Sequence, residues 1–377
     1  MARAPSVQEI EELPEADRLD GFPHPRETRR LFGHEAAERT LAEAHRSGRM
    51  HHGWIIAGPP GIGKATLAYR FARHALAEPG ERDQSGATLD VPEESRAARQ
   101  VRALSHPGLL AIRRPYDAKT KRVRTEITVD EVRRLRTFLG LTAGRDAWRV
   151  VIVDTADELN ANAANALLKS LEEPPPRCVF LLVSSAHGRL LATIRSRCRT
   201  LDLAPLADDA LRRAVEQAIA AGAEEARAAM PGASEWPALL RIAGGSARRV
   251  LSLHAAGGLE LYGRISALIS GLPRVDWGAV HALGDELGGA AAEARFELFF
   301  ELLLDLVSRL VLARASAGGA ADERALAERL IGEDGLAAWA ELWEAVLREK
   351  ADAQALNLDR KALILDTVSR LETAARS

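Results

Sequence analysis

The sequence has few cysteines, and that scarcity excludes several classes of protein. Only Cys178 and Cys198 occur among 377 residues. Two thiols are too few for a disulfide framework or for a zinc site built from four thiolates. So low a cysteine content is typical of the reducing cytosol, and we therefore expect a cytoplasmic location.

The chain also lacks an excess of charge of either sign. Its 51 Lys and Arg residues are balanced by 53 Asp and Glu residues, for a formal net charge of -2. Such a balance provides no overall attraction to nucleic acid or to an anionic membrane. Any contact with DNA must therefore be local.

No long apolar run is free of charged residues. The most apolar stretch, residues 296–312, is interrupted at every fourth position, by Glu297, Glu301, Asp305 and Arg309. This spacing places one polar stripe on an otherwise apolar helix, which predicts a core helix and no membrane contact. The acidic N-terminus has no apolar core, so residues 1–23 are predicted to be a flexible leader rather than a targeting signal.

What the first half does contain is an alternation of apolar runs with helical patterns, typical of βαβ units around a parallel sheet. Residues 53–58, 148–154 and 178–185 read as buried strands because their hydrophobicity is nearly continuous. From Pro205 onward helical patterns prevail, and no proline follows Pro273. We therefore expect the second half of the chain to be helical.

One short segment suggests nucleotide chemistry. Residues 58–66, GPPGIGKAT, nearly match the phosphate-binding pattern G-x-x-x-x-G-K-[ST] between an apolar strand and a helical pattern. Backbone N–H groups at that helix N-terminus would face an anion, and Lys64 would reach the β- and γ-phosphates. The candidate nucleotide-binding residues of the loop are Gly58, Pro59, Pro60, Gly61, Ile62, Gly63, Lys64, Ala65 and Thr66. The alternative is a tight strand-to-helix turn with an incidental lysine.

Two departures from the pattern of hydrolytic enzymes affect this candidate site. Ala65 stands where a Ser or Thr would ligate Mg²⁺, and Thr66 is displaced about 100° around the helix. Asp154 follows the second strand as a nucleotide-site acid should, but Thr155 stands where a carboxylate would polarise water. We therefore expect no metal ligand set and poor hydrolysis.

Two further groups of charged residues have competing interpretations. Arg195, Arg197 and Arg199 recur at strand spacing and form either a functional run or a solvated basic face. Asp157 and Glu158 precede a helical pattern, which favours a role as helix-capping charges.

Three segments in this order resemble the AAA+ module of the bacterial clamp-loader family, the assembly that opens the sliding clamp and places it on primed DNA. They are GRMHHGWIIAGPPGIGKATLAYRFA (48–72), VIVDTADELNANAANALLKSLEEPP (151–175) and TIRSRC (193–198). The resemblance extends from about residue 24 to the C-terminus and is dense up to residue 205.

The resemblance implies an α/β AAA+ P-loop module with a parallel sheet, a small helical lid domain and an all-α C-terminal collar domain. In this sequence these would occupy residues 24–205, 206–257 and 258–377. It implies partner subunits of delta and gamma/tau type in the DNA polymerase III holoenzyme, together with the sliding clamp and primed DNA. ATP would be bound without efficient hydrolysis.

The same resemblance assigns roles to individual residues. Arg197, in Ser-Arg-Cys, matches the arginine finger that this family projects into a neighbour's ATP site. Arg248 matches the lid-domain arginine that senses a γ-phosphate, and Ser184 or Ser185 matches the first polar sensor. The family's zinc site lies before a His-Pro dipeptide; here no cysteine precedes His106, and no zinc is expected.

Several alternatives stay open at this point. One basic segment either contacts a phosphate backbone or forms an exposed hairpin; its charged residues are Lys119, Lys121, Arg122 and Arg124. Trp339 and Trp343 share a helix face as core or subunit-interface residues. The alternative for the whole chain is a self-sufficient AAA+ ATPase, a clamp-loader motor subunit or a related remodelling enzyme.

Overall fold

A computed structural model describes residues 14–83, 85, 88–120, 122–140, 147–228, 230–255, 257–289, 292–316, 320–356 and 358–376. Contacts divide the chain into two compact units. The sheet unit comprises residues up to 230 together with 243–251, and the helical unit comprises 231–242 together with residues from 252 onward.

A five-stranded parallel sheet forms the centre of the sheet unit, in the strand order β2-β5-β6-β1-β7, and β3 and β4 form a separate antiparallel pair. The strands are β1 Gly53–Ala57, β2 Leu109–Arg113, β3 Tyr116–Asp117, β4 Arg122–Val123, β5 Arg149–Asp154, β6 Cys178–Ser184 and β7 Arg199–Asp202. The three predicted strands are β1, β5 and β6, and they are buried along nearly their whole length. The sequence interpretation missed β2, whose apolar run of four residues ends at Arg113, and β7, which is mostly exposed.

Helices cover both faces of this sheet, so its central strands need apolar side chains on both sides. The helices up to residue 255 are α1 Glu35–Arg46, α2 Lys64–Leu76, α3 Arg96–Arg102, α4 Val129–Gly140, α5 Ala161–Glu172, α6 Ala192–Arg195, α7 Asp208–Ala220, α8 Glu224–Ala228, α9 Trp236–Ala243 and α10 Ala247–Ala255; all of α9 except its last residue falls in the helical unit. Ile56 packs with Phe71 on one face, while Ile55 packs with Leu167 on the other. Successive residues of β1 thus pack into two different hydrophobic cores, one on each face of the sheet.

The structure separates the three arginines and corrects the prediction of helix-capping charges. Arg195 ends α6 and Arg199 begins β7, with Arg197 in the turn between them, so their strand-like spacing does not reflect a shared strand. The cap of α5 is Asn160, whose side chain accepts a hydrogen bond from the Ala163 N–H at 2.9 Å. Asp157 and Glu158 instead form a 3₁₀ turn before it.

The helical unit contains no strand within its described residues. Its remaining helices are α11 Gly258–Gly271, α12 Trp277–Leu287, α13 Glu293–Ser316, α14 Ala321–Leu330, α15 Leu336–Leu356 and α16 Arg360–Ala374. Trp339 of α15 is fully buried, and the Trp343 indole donates a hydrogen bond to the Leu304 carbonyl of α13 at 3.0 Å. Trp339 therefore belongs to the core, and Trp343 contacts α13.

The expected fold class is confirmed: a parallel sheet with helices is followed by an all-helical region. Within the described residues, no helix combines the length and the apolarity needed to cross a membrane. The boundary between the two units falls within residues 206–257. The division into module, lid and collar stays a prediction.

Candidate nucleotide-binding site

The loop of residues 58–63 connects the end of β1 to the start of α2 and depends on its glycines. Gly58, Gly61 and Gly63 have φ values of 141°, 76° and 107°, a region that other residues rarely adopt. A Cβ atom at Gly58 would come within 2.3 Å of the Leu203 carbonyl oxygen. The loop therefore folds tightly enough for its backbone to approach a bound anion closely.

Lys64, the first residue of α2, is almost completely buried. Its Nζ donates hydrogen bonds to the Gly58 carbonyl at 2.8 Å, the Pro59 carbonyl at 2.5 Å and the Ser185 hydroxyl at 3.0 Å. Burial lowers the pKa of Lys64 to about 8, although the charges of Asp154 and Asp157 act in the opposite direction. The ammonium group is thus held by neutral oxygens that an anionic ligand could replace.

Asp154 ends β5 beside the loop. It is 7% exposed, and its Oδ2 atom is buried with no hydrogen-bond donor among the described residues. Burial and then the negative charge of Asp17 raise the pKa of Asp154. The Thr155 hydroxyl donates a long hydrogen bond to Asp154 Oδ1, at 3.4 Å. The unpartnered oxygen is the kind of atom that a nucleotide-bound cation or water would satisfy.

The residues after β6 complete this edge of the site. The Ser185 N–H donates to Asp157 Oδ1 at 3.1 Å, and Glu158 forms an ion pair with Arg114 at 2.9 Å. The acidic turn therefore holds the strand end that presents the Ser185 hydroxyl to Lys64. Of the two sensor candidates, Ser185 makes this contact, whereas Ser184 is fully buried and its hydroxyl has no hydrogen-bond partner among the residues that the structure describes.

Arg248, on α10, lies against the loop, and its role as a γ-phosphate sensor stays a prediction. Its backbone N–H donates to the Gly61 carbonyl at 3.2 Å, and its Nη1 donates to the Asp17 carbonyl at 2.9 Å. Asp17 was missed because it belongs to the segment interpreted as a leader. Only its acidic character in the sequence could have indicated a role.

These groups surround a cavity of about 500 Å³, within the size range of small-molecule sites. One side is apolar and is lined by Leu19, Phe22, Leu31, Phe32, Leu206 and Leu251. The other side is polar and is lined by Pro60, Gly61, Ile62, Gly63, Lys64, Ala65, Thr66, Asp154, Thr155, Ser185 and Arg248. Gly58 and Pro59 contribute carbonyls to Lys64. A cavity lined both by apolar side chains and by the cations Lys64 and Arg248 suits a nucleoside phosphate.

Arg197 does not line this cavity. It lies in the turn between α6 and β7, where its Nη2 contacts Glu172 Oε1 at 2.9 Å and its Nη1 donates to the Thr193 carbonyl at 3.0 Å. Its side chain is 37% exposed, so the guanidinium is accessible to a partner. Its role as an arginine finger stays a prediction.

The strand–loop–helix unit, its buried lysine and the acid at the end of β5 define a P-loop module with the strand order of AAA+ proteins. Within the described part of the chain, no group of three or more His, Cys, Asp or Glu residues could hold a metal ion.

Comparison with known proteins agrees with this class. The family described as DNA polymerase III, delta subunit, matches residues 33–207. The chain is 36% identical over 211 residues to DNA polymerase III subunit delta' of Pseudomonas aeruginosa, a match that covers 55% of this chain and 56% of the relative. It is 29% identical over 270 residues to subunit delta' of Escherichia coli, covering 71% and 73%.

A solved structure, the DNA polymerase III gamma subunit-related protein of Thermotoga maritima, aligns with 89% of this chain and 99% of its own, at 16% identity and a TM-score of 0.42. The chain spans little more than half the length of the Pseudomonas aeruginosa relative. Over residues 33–207 it is similar to the DNA polymerase III delta-subunit family, and its sequence is similar to that of subunit delta'.

Proposed function

We propose that this chain is a clamp-loader subunit of the DNA polymerase III holoenzyme that helps load the sliding clamp onto primed DNA. Its partners would be subunits of delta and gamma/tau type. The observation that carries this proposal is the family match over residues 33–207, because that range contains the phosphate loop, Asp154 and Arg197.

We further propose that the cavity binds ATP without efficient hydrolysis. Lys64 and Arg248 supply cationic donors, and the apolar side fits a base. In a hydrolytic site, Mg²⁺ neutralises the phosphates and is held partly by a hydroxyl after the lysine. Here Ala65 presents a methyl group at that position, although Asp154 retains an oxygen for the cation. Thr155 has no carboxylate with which to polarise water.

The catalytic contribution of the chain would lie in its neighbour's site. We propose that Arg197 stabilises the charge of phosphoryl transfer on a nucleotide bound by an adjacent subunit. An arginine supplied in trans is worth about 10³ to 10⁵ in turnover. The accessibility of Arg197, and the exposed ion pair that it could exchange for a phosphate, support this proposal.

Co-purification with delta and gamma/tau subunits of the same organism tests the assembly. A steady-state hydrolysis assay on the isolated chain tests the nucleotide proposal, with thermal melting as the measure of binding. We expect ATP to raise the melting midpoint, because a ligand that binds only the folded state stabilises it. Turnover of about 1 per second or faster would instead favour a self-sufficient ATPase.

A further inference from the structure

The first described residues of the chain, 14–18, form an acidic segment beside the polar half of the cavity. Glu15 pairs with Arg26 at 2.9 Å and with Arg113 at 2.6 Å. Ala16 and Asp17 line the cavity itself. The segment that the sequence assigns to a leader is therefore held at the site by ion pairs with residues of the module.

Asp17 is held in this segment by contacts of both its side chain and its backbone. Its carboxylate contacts His24 Nε2 at 2.7 Å and Arg113 Nη1 at 3.4 Å, and its carbonyl accepts the hydrogen bond from Arg248. Burial by itself would raise the pKa of Asp17, but its partners, His24 first, lower it to about 2. Asp17 therefore carries a negative charge at neutral pH.

In this arrangement, oxygen atoms of the chain itself accept the hydrogen bonds that the cationic side chains of the cavity donate. Arg248 is bonded to the Asp17 carbonyl, and Lys64 is bonded to two loop carbonyls and Ser185. The Asp17 carboxylate also interacts electrostatically with Asp154, at the end of β5. A terminal phosphate approaching Arg248 would meet both an existing hydrogen bond and a like charge.

We propose that the acidic segment is an internal competitor for the terminal phosphate of the nucleotide, and that Asp17 sets the selectivity of the cavity among nucleotides of different phosphate number. The inference rests on the proposed nucleotide binding. A triphosphate binds by replacing the Asp17 carbonyl at Arg248 and displacing the segment. A diphosphate is shorter and encounters less of this competition.

Titration calorimetry of the full chain with ATP and with ADP, each with Mg²⁺, tests the proposal on Asp17→Asn. Removing one like charge is expected to tighten ATP binding about tenfold and ADP binding less. Asp20→Asn is the matched control: it makes the same charge change three residues further on, at an exposed position that does not line the cavity. Asp17→Glu keeps the charge and should retain the wild-type preference.

Trypsin cleavage after Arg18 gives an independent readout. Arg18 is held by Glu15 at 3.2 Å and by Glu27 at 2.7 Å, so displacement of the segment should speed cleavage when ATP is added. Weaker ATP binding by Asp17→Asn would overturn the proposal, because it would make Asp17 a ligand of the bound cation. ATP binding with no change in cleavage would overturn it as well.

The failure of the proposed function has a different signature. If neither the wild type nor any variant binds ATP or ADP, the cavity is not a nucleotide site, and this inference falls with it. If nucleotides bind but Asp17→Asn changes ATP and ADP affinity equally, only the inference fails.

Discussion

The Lys64 ammonium donates a hydrogen bond to the Ser185 hydroxyl across 3.0 Å, joining the phosphate loop to the end of β6. The two residues are 121 positions apart in the chain, but parallel pairing of β1 with β6 brings Ala57 level with Ser184. The lysine is therefore already oriented toward the edge of the sheet where a phosphate would bind. Its replacement is the most direct test of the site.

We expect Lys64→Ala to weaken ATP binding about 10- to 100-fold, because a hydrogen bond to a charged group contributes about 1.5–3 kcal/mol. Fluorescence titration with an ATP analogue measures the change. Lys169→Ala is the matched control, since Lys169 is exposed on α5 and does not line the cavity. Equal affinity of Lys64→Ala and wild type would contradict nucleotide binding at this loop.

ATP affinity should fall as the pH rises from 7.5 to 9. The pKa of Lys64 is lowered by burial to about 8, so its charged fraction in the free chain declines through this range. At pH 9 about a tenth of the molecules retain the ammonium, which predicts roughly tenfold weaker binding than at low pH. Lys64→Arg stays charged throughout and should flatten the profile; an unchanged slope would assign the effect to another group.

Gly61→Ala should destabilise the fold and weaken ATP binding together. The added Cβ would lie 2.3 Å from Ser246 Oγ and 2.6 Å from Arg248 Cβ, at a φ of 76°. Strain of this kind costs about 1–3 kcal/mol, and its relief would move Arg248 away from the loop. Urea unfolding measures the loss. Gly80→Ala, whose Cβ would meet nothing within 4 Å, should have little effect.

Arg197→Ala should leave the folding of the chain and its assembly intact while lowering the ATPase activity of the reconstituted complex. The expected loss is about 10³-fold or more for sites that depend on this arginine. Arg195→Ala, an exposed neighbour at the end of α6, is the control. Unchanged turnover would make Arg197 an ordinary surface residue paired with Glu172.

Local patterns in the sequence predicted β1, β5 and β6, because strands buried on both faces need continuous apolar runs. They also predicted the phosphate loop, whose glycines are required by its backbone conformation. The edge strand β7 was missed because only one of its four residues is even half-buried, and β2 because its apolar run is only four residues long. The strand-like spacing of Arg195, Arg197 and Arg199 does not come from one strand, since a single turn of helix and a bend fit the same spacing.

The sequence by itself determined the class of the protein and the glycine-rich loop between β1 and α2, because both follow from residues adjacent in the chain. Only the tertiary structure decided which distant groups meet there. The contacts of Ser185 with Lys64, of Arg114 with Glu158 and of Asp17 with Arg248 join residues up to 231 positions apart. Such pairs depend on how the strands are ordered and how the N-terminal segment packs, and no local propensity encodes them.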